Sequence, residues 1–582
     1  MLPSVSSRAR RSPVLLLISA AAAWLISSSA SSLAAPPNPP PPGPKPVTNT
    51  WKGGHADDIW EEPRNWSLNV VPAKHHDVVI PGDKPTVVIS KDYVIQGGAP
   101  VKVAKEIRSL ETHERVPGPD GSTSPVLVST NLRDRKGNTA FLLSATDIRI
   151  IATNGIKLGN RNRVEAGAGI PHPTFAAAGG SVVLESREGK VVAEGTITMI
   201  NAGAGAPDLR PAHDPAFALI PPVFPPVIPT LAGDGGDVFI KAKKSVFLGA
   251  IGVSAGQGGP PAGVNVPFLA GAAGGSVRIE SGERMVLQSQ IRSGAALLAP
   301  GGSLAVACGA DLEIGKSAKF EAGFGVGPSE SSIGGSVTIS AQEQFRFEGE
   351  LIGGAGRLGG AVIVFCGKLK DFGKIVAGNS SAGKGGDIRI EVREQKEPKI
   401  GKVTAGKGDP KGNIVCNGVT IGFLDRVEAG SVYVSASGDA ETVAAISFYD
   451  GAELIADSLV CLQTEDGQVD FSNLSDDQPV ISVSPGGFVN IVGGLTVAGS
   501  ENASLDAIAL FIDGAYDLAE EGCMIELCFG DLNLDGVVDD ADLAFLLAAW
   551  DTSSSLADLD GNGVVGSADL SLLLAAWGDC TI

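Results

Sequence analysis

Residues 531–550 read DLNLDGVVDDADLAFLLAAW and residues 558–577 read DLDGNGVVGSADLSLLLAAW, and the two stretches are identical at thirteen of twenty positions. Each opens a twelve-residue loop studded with oxygen-bearing side chains. In the first, Asp531, Asn533, Asp535, Asp539 and Asp542 hold positions 1, 3, 5, 9 and 12, and Val537 offers its carbonyl at 7. In the second the same places fall to Asp558, Asp560, Asn562, the carbonyl of Val564, and Asp569, with a water standing in at Gly566. Gly536 and Gly563 occupy the sixth place, where such a loop turns sharply. Carboxylates crowded this closely repel one another unless a hard cation sits among them, and this spacing suits calcium. Two calcium ions are expected.

Loops of this kind need helices to hold them, and residues 543–550 and 570–577 carry Leu and Trp at core spacing. Position 12 is Asp where an ordinary EF-hand has Glu, one helix follows each loop, and the repeat offset is 27 residues. In these features residues 528–582 resemble the type I dockerin of secreted polysaccharide-degrading systems. The resemblance implies a small α-helical, EF-hand-like module over 521–582 that docks, with calcium bound, onto a cohesin-like protein. In that family positions 10 and 11 of each loop meet the partner, which here places Asp540, Ala541, Ser567 and Ala568. Cellulosomal members favour Ser-Thr there, so this chain points away from a cellulosomal cohesin. Cys528 and Cys580 flank the module and are the candidate pair for a bridge clasping its ends, with Cys523 left over.

The same segment explains the acidity of the chain. The 582 residues carry 45 Lys plus Arg against 65 Asp plus Glu, a formal charge of −20. Residues 528–582 hold ten Asp and no Glu, Lys or Arg, hence −10 of that −20, and seven of the ten are the proposed ligands. Net negative charge argues against general binding to nucleic acid or to anionic membrane surfaces. With 43% hydrophobic and 19% charged residues the chain has the composition of a folded protein.

At the other end, Arg8, Arg10 and Arg11 precede an apolar run over 13–26 and a small-x-small site at Ser32-Leu33-Ala34. This is the pattern of a secretory signal peptide over 1–35, and no later stretch is apolar enough to span a membrane, so the protein is expected to be secreted or at the cell surface. Residues 36–48 form a Pro-rich linker. Residues 49–115 contain three of the six Trp, at 51, 60 and 66. Its W-x-G-G, N-W-S and D-V-V-I-P elements resemble the entry segment of secreted β-helical surface proteins. Two readings of the Trp rings stand open: plugs over the end of a repeat stack, or a platform for sugar rings. His55, Asp57, Asp58, His75, His76 and Asp77 offer metal-binding atoms at spacings that match no known ligand set.

Between these ends, over 116–520, the chain keeps a repeat. Gly-Gly followed by a small residue and an apolar strand begins at Gly179, Gly235, Gly274, Gly301, Gly334, Gly359 and Gly385, at intervals of 56, 39, 27, 33, 25 and 26 residues. Two places after each second glycine stand Val182, Val238, Val277, Leu304, Val337, Val362 and Ile388; four places after stand Leu184, Ile240, Ile279, Val306, Ile339, Val364 and Ile390. The positions between vary, so the period is two with one face always apolar. A unit of about 25 residues fits one turn of a solenoid better than a propeller blade. The body resembles the parallel β-helices of haemagglutinin-like adhesins and pectin-degrading enzymes, from which a right-handed coil is implied. The expected fold class is therefore mainly β, a right-handed parallel β-helix (β-solenoid) with a small α-helical dockerin at the C-terminus. Each turn closes on a small pair such as Ala202-Gly203, Ala255-Gly256, Ala322-Gly323, Ala377-Gly378 or Ala405-Gly406, where glycine is expected to supply the positive φ of a tight corner.

The long intervals predict loops. One, over 206–234, contains the run IPPVFPPVIP at 220–229, and a second surrounds Pro260, Pro261, Pro267 and Phe268. Such loops either project as binding arms or fold back over the flank. Cys308 and Cys366, with Ala341 aligned between them, fall on the inward face two turns apart, too far for a bridge; Cys416 and Cys461 are expected as core residues too. Two functions remain. One is a noncatalytic surface adhesion or assembly component docked through its tail. The alternative is a lyase or glycoside hydrolase acting in polysaccharide catabolism. No catalytic residue is assigned: no His occurs after residue 213, and Asp476-Asp477 is an isolated acidic pair.

Overall fold

The structure is a computed structural model that describes residues 46–582 apart from 91–92, 97–98, 118–121, 130–144, 170–176, 196–197, 207–231, 260–271, 328–331, 394–397, 438–442, 475–478, 498–499, 502, 504, 519–529, 533–536, 539–541, 544–545, 548–556, 558, 560–564 and 580–582. The signal peptide, most of the Pro-rich linker, both long loops and the Asp476-Asp477 pair thus lie outside the described residues.

The repeats stack as parallel strands in the register read from the glycines. Val182 pairs with Val238, and the column continues through Val277, Leu304, Val337, Val362 and Ile388. It runs on through Ile414, Val432, Val460, Val489 and Tyr516, and backwards to Ile148. At about 4.8 Å per rung these thirteen residues extend some 58 Å. Each turn contributes two further short strands, exemplified by Val246–Leu248 and Gly252–Ser254, which pair in parallel with their counterparts one turn on. The result is the arrangement of a β-solenoid, one continuous apolar core wrapped by a parallel sheet of many strands. In the C-terminal half the core includes an aromatic ladder, Phe423, Phe448, Phe471 and Phe511, with ring centroids 5.6, 5.0 and 5.3 Å apart.

The corner glycines serve a different purpose from the one expected. Gly203, Gly256, Gly323, Gly378 and Gly406 are absent from the described glycines of positive φ. They are instead where two backbones meet. Gly323 N donates to Gly302 O at 2.9 Å and Gly335 N donates to Gly323 O at 2.8 Å, so the Gly-Gly and Ala-Gly glycines zip together up the stack. A Cβ on Gly323 would lie 1.9 Å from Gly294 O. The small residue after each Gly-Gly forms a second ladder: Asp237 N donates to Ser181 Oγ, Ser276 N to Asp237 Oδ1 at 2.7 Å, Ser303 N to Ser276 Oγ and Ser336 N to Ser303 Oγ.

The N-terminal segment is built into the same stack, since Val47–Thr50 pairs with His76–Ile80 and that strand with Lys105–Thr112. Trp51, Trp60 and Trp66 are fully buried, with Trp66 edge-on to the other two at 4.9 and 4.8 Å. Rings without an exposed face are plugs; they present nothing to a sugar. The Asp77 carboxylate is engaged by Arg108 and Ser109, and His76 Nδ1 accepts from Ala73 N at 3.0 Å, which takes two of the acidic and imidazole groups away from any metal.

Cys308, Cys366 and Cys416 are free, buried core thiols, and Cys308 pairs with Ala341, which pairs with Cys366. Cys461 departs from its expected role: it is disulfide-bonded, to a partner outside the described residues. The reason is its side of the strand. Cys461 aligns with Tyr433 and Asn490 between the inward Val460 and Leu462, so its sulfur faces away from the core.

Candidate metal centre

Among the described residues of the tail, sequence symmetry has become packing symmetry. Leu532 and Leu559, Val538 and Val565, Leu543 and Leu570, and Leu546 and Leu573 are pairs at the 27-residue offset, and all eight share one small core. The helix Ser567–Ala575 starts three residues earlier than its apolar spacing suggested, because Asp569 Oδ2 accepts from Gly566 N at 2.7 Å and caps the first turn. Residues 542, 543, 546 and 547 are helical after the first loop. Val537–Val538 pairs antiparallel with Gly578–Asp579, which ties the first loop to the end of the chain. Trp577 lies beyond its helix and is 47% exposed, so it is not the core residue its spacing implied. Leu547 and Leu574, equivalent in the two repeats, are each 51% exposed.

Of the expected ligands, Asp531, Asp542 and Asp569 are described, and Val537 by its backbone. Asn533, Asp535, Asp539, Asp558, Asp560, Asn562 and Val564 lie outside, as do Asp540, Ala541, Cys528 and Cys580. Among the described residues no group of three or more His, Cys, Asp or Glu gathers as a metal site. The described carboxylates nevertheless have an informative setting. Asp531 is 7% exposed, Asp542 and Asp569 are fully buried, and these are positions 1, 12 and 12 of the two loops. Asp542 Oδ1 accepts from Leu532 N at 2.6 Å, so each position-12 carboxylate is held by a backbone N–H of its own loop. The positions these carboxylates hold are those from which a twelve-residue calcium loop offers its hard oxygen donors. Ser567 and Ala568, at the N-terminus of the helix, are exposed.

A second feature lies on the solenoid. An open groove of about 1120 Å³ runs across five turns where the first strand of each turn bends toward its second. Its walls carry Glu185, Lys241 and Glu280 on successive rungs, with Lys243, Lys244 and Glu283 at the bend. Much of this charge is internally matched: Lys241 Nζ lies 2.8 Å and Arg278 Nε 2.5 Å from the Glu280 carboxylate. The groove is polar and spans several rungs. Sequence reading aligns Glu185, Lys241 and Glu280 in one outward column, but the groove comes from the bend between the first and second strands of each turn, which the column does not show.

Set against family models, curated proteins and solved structures, the chain finds no match in any of the three comparisons.

Proposed function

We propose that the chain is a secreted, noncatalytic adhesion or assembly component: a β-solenoid body displayed by a calcium-loaded, dockerin-like tail that docks onto a cohesin-like protein. One observation carries this reading, the burial of Asp531, Asp542 and Asp569 at positions 1, 12 and 12 of two twelve-residue loops whose oxygen-bearing residues recur at calcium-ligand spacing. Asp531, Asn533, Asp535, Asp539 and Asp542 with the Val537 carbonyl would hold one ion; Asp558, Asp560, Asn562 and Asp569 with the Val564 carbonyl would hold the other. Each ion supplies the charge that lets its loop close and its helix pack. The exposed Ser567 and Ala568 and the half-exposed Leu547 and Leu574 then form the docking face. Titration of the EDTA-treated full chain with calcium tests the assignment. Uptake of two ions with a gain of helicity and amide protection over 528–580 is expected. Absence of binding heat, with helicity the same in EDTA and in calcium, overturns it.

The flank groove favours a second reading, a polysaccharide lyase or glycoside hydrolase, because a linear glycan lies naturally along a polar channel crossing several rungs. Turnover of pectins, alginates or sulfated glycans by the full chain selects this reading over the noncatalytic one.

A further inference from the structure

On the flank formed by the second and third strands of each turn, opposite charges stack in register. Glu313 stands beside Arg346, Arg292 beside Glu321, Lys319 beside Glu350 and Arg426 beside Glu453. At the turns that carry Lys370 and Lys402 this rule breaks on both strands. Arg346 is followed by Lys370, and Lys374 by Lys402, so cations stand one rung, about 4.8 Å, apart. Like charges in register repel, and an anion seated between them removes the cost. Part of this charge is answered within the chain: Arg346 Nε lies 3.0 Å from Asp371 Oδ2, and Lys374 Nζ 3.6 Å from Glu350 Oε1. Lys316, Lys370, Lys399 and Lys402 meet no carboxylate among the described residues. Residues 368–411 hold eleven Lys plus Arg against six Asp plus Glu, in a chain whose net charge is −20.

An open groove of about 710 Å³ runs along the same corner, lined by Lys316, Arg346, Lys370 and Lys399 on successive turns, with Phe372 and Leu424 as its apolar wall. Three carboxylates line it as well, and Asp371 among them is already held by Arg346. Phe372 is half-buried and stands edge-on to Phe347 at 5.8 Å; Lys399 Nζ lies 4.8 Å from the centre of the Tyr449 ring. The corner therefore joins surplus positive charge to an aromatic wall in one channel.

We propose that this corner binds a linear acidic polysaccharide laid along the stack, its carboxylates or sulfates seated among Lys370, Lys374, Lys399 and Lys402 and a sugar ring against Phe372. From the turn of Lys316 to that of Leu424 the groove climbs four rungs, about 19 Å, so it suits a chain rather than a single small ion. The cations recur at the rung spacing of about 4.8 Å, whereas charges along a nucleic-acid strand recur at about 3.4 Å. A pyranose chain with one anion per ring repeats at close to the length of a rung. This site is distinct from the groove between the first and second strands, where Lys241 and Arg278 are matched by Glu280. It uses no residue of the tail, and so it stands apart from the calcium assignment.

The test titrates the full chain, in calcium, with mannuronate oligomers and with dextran sulfate, using neutral dextran as the blank. Binding of at least one acidic probe and none of dextran is expected, and the two arms tell carboxylate from sulfate. A chain with Lys370→Gln, Lys374→Gln, Lys399→Gln and Lys402→Gln should bind about tenfold or more weakly, the combined effect of four exposed ion pairs. Lys243→Gln with Lys244→Gln, which removes charge from the other groove, should leave binding unchanged. Binding of neither acidic probe overturns the proposal. So does equal weakening by the two variants, or tighter binding of a single-stranded oligonucleotide than of either glycan. Should the fourfold variant not fold, Lys402→Gln alone decides. Its urea midpoint without glycan should match or exceed the parent's, because a like-charged neighbour of Lys374 is gone, while its binding weakens; a lower midpoint or unaltered binding overturns the proposal. Every substituted residue lies in the body, so calcium uptake by the tail is read separately and the two assignments fail independently.

Discussion

Replacing Gly323 by Ala is the sharpest test of why the corners are glycine. The new Cβ would sit 1.9 Å from Gly294 O and 2.8 Å from Gly302 N, so two backbones must separate by more than an ångström. Forced overpacking costs roughly 1–3 kcal/mol, and weakening the two bonds Gly323 makes, to Gly302 O and from Gly335 N, adds about 0.5–1.5 kcal/mol each. A destabilisation of about 2–6 kcal/mol follows. Gly252→Ala is the matched control: its nearest neighbour would be Met199 Cγ at 3.7 Å, and its φ lies outside the left-handed range. Alanine there is expected to be neutral, or to stabilise by about 0.4–1 kcal/mol by restricting the unfolded chain. Urea unfolding followed by dichroism compares the two midpoints. Because each turn of a solenoid leans only on its neighbours, hydrogen exchange at Lys319–Glu321 and Val337–Phe347 should show the loss of protection locally for Gly323→Ala. If Gly323→Ala leaves midpoint and protection unchanged, or Gly252→Ala proves equally harmful, close backbone approach is not what these glycines serve.

Two further outcomes follow from the core and from the polar ladder. Burial pushes the thiols of Cys308, Cys366 and Cys416 up from an ordinary 9.0, to about 11, about 12 and about 12. The fold keeps these thiols protonated while the unfolded chain ionises them, so their contribution is intact below about pH 9 and is lost as pH climbs from there toward about 12. Urea midpoints should fall across that window, and Cys416→Ala should flatten the fall; a pH-independent midpoint refutes this. On the outer ladder, Asp237→Ser should change stability by less than about 0.5 kcal/mol, since Ser makes the same contact on neighbouring rungs, whereas Asp237→Ala strips Ser276 N of its acceptor and costs about 1 kcal/mol. Equal midpoints for the two variants would contradict the ladder.

The columns were legible because a buried parallel stack repeats the same demand at every turn: Val182 and Ile388 answer to the same neighbours, so the alternation survives insertions of unequal length. Turns that had lost the doubled glycine were harder to see. At Gly412 and Gly430 a single residue continues the zipper, each glycine N donating to the glycine carbonyl before it at 2.9 and 2.7 Å, and no doublet marks the turn. The two oxygen-rich loops were readable for a local reason, since the spacing that marks them is set within twelve residues. Trp577 misled because helical spacing marks a face but not the helix end, and the helix stops at Ala575.

By itself, then, the sequence determined what local spacing and strict repetition can specify: a mainly β body in a known register, a Trp-rich entry, and two oxygen-rich loops. Tertiary structure decided everything that depends on which turns become neighbours. It turned the corner glycines from hinges into points of backbone contact, because the shortest distances there lie between residues 24 to 53 apart in the chain. It sent Cys461 outward into a disulfide and buried three tryptophans as a plug. It also placed an apolar patch at Ile363 on a face that alternation assigns to solvent, where burial is set by whatever packs across the strand and not by the strand's own pattern.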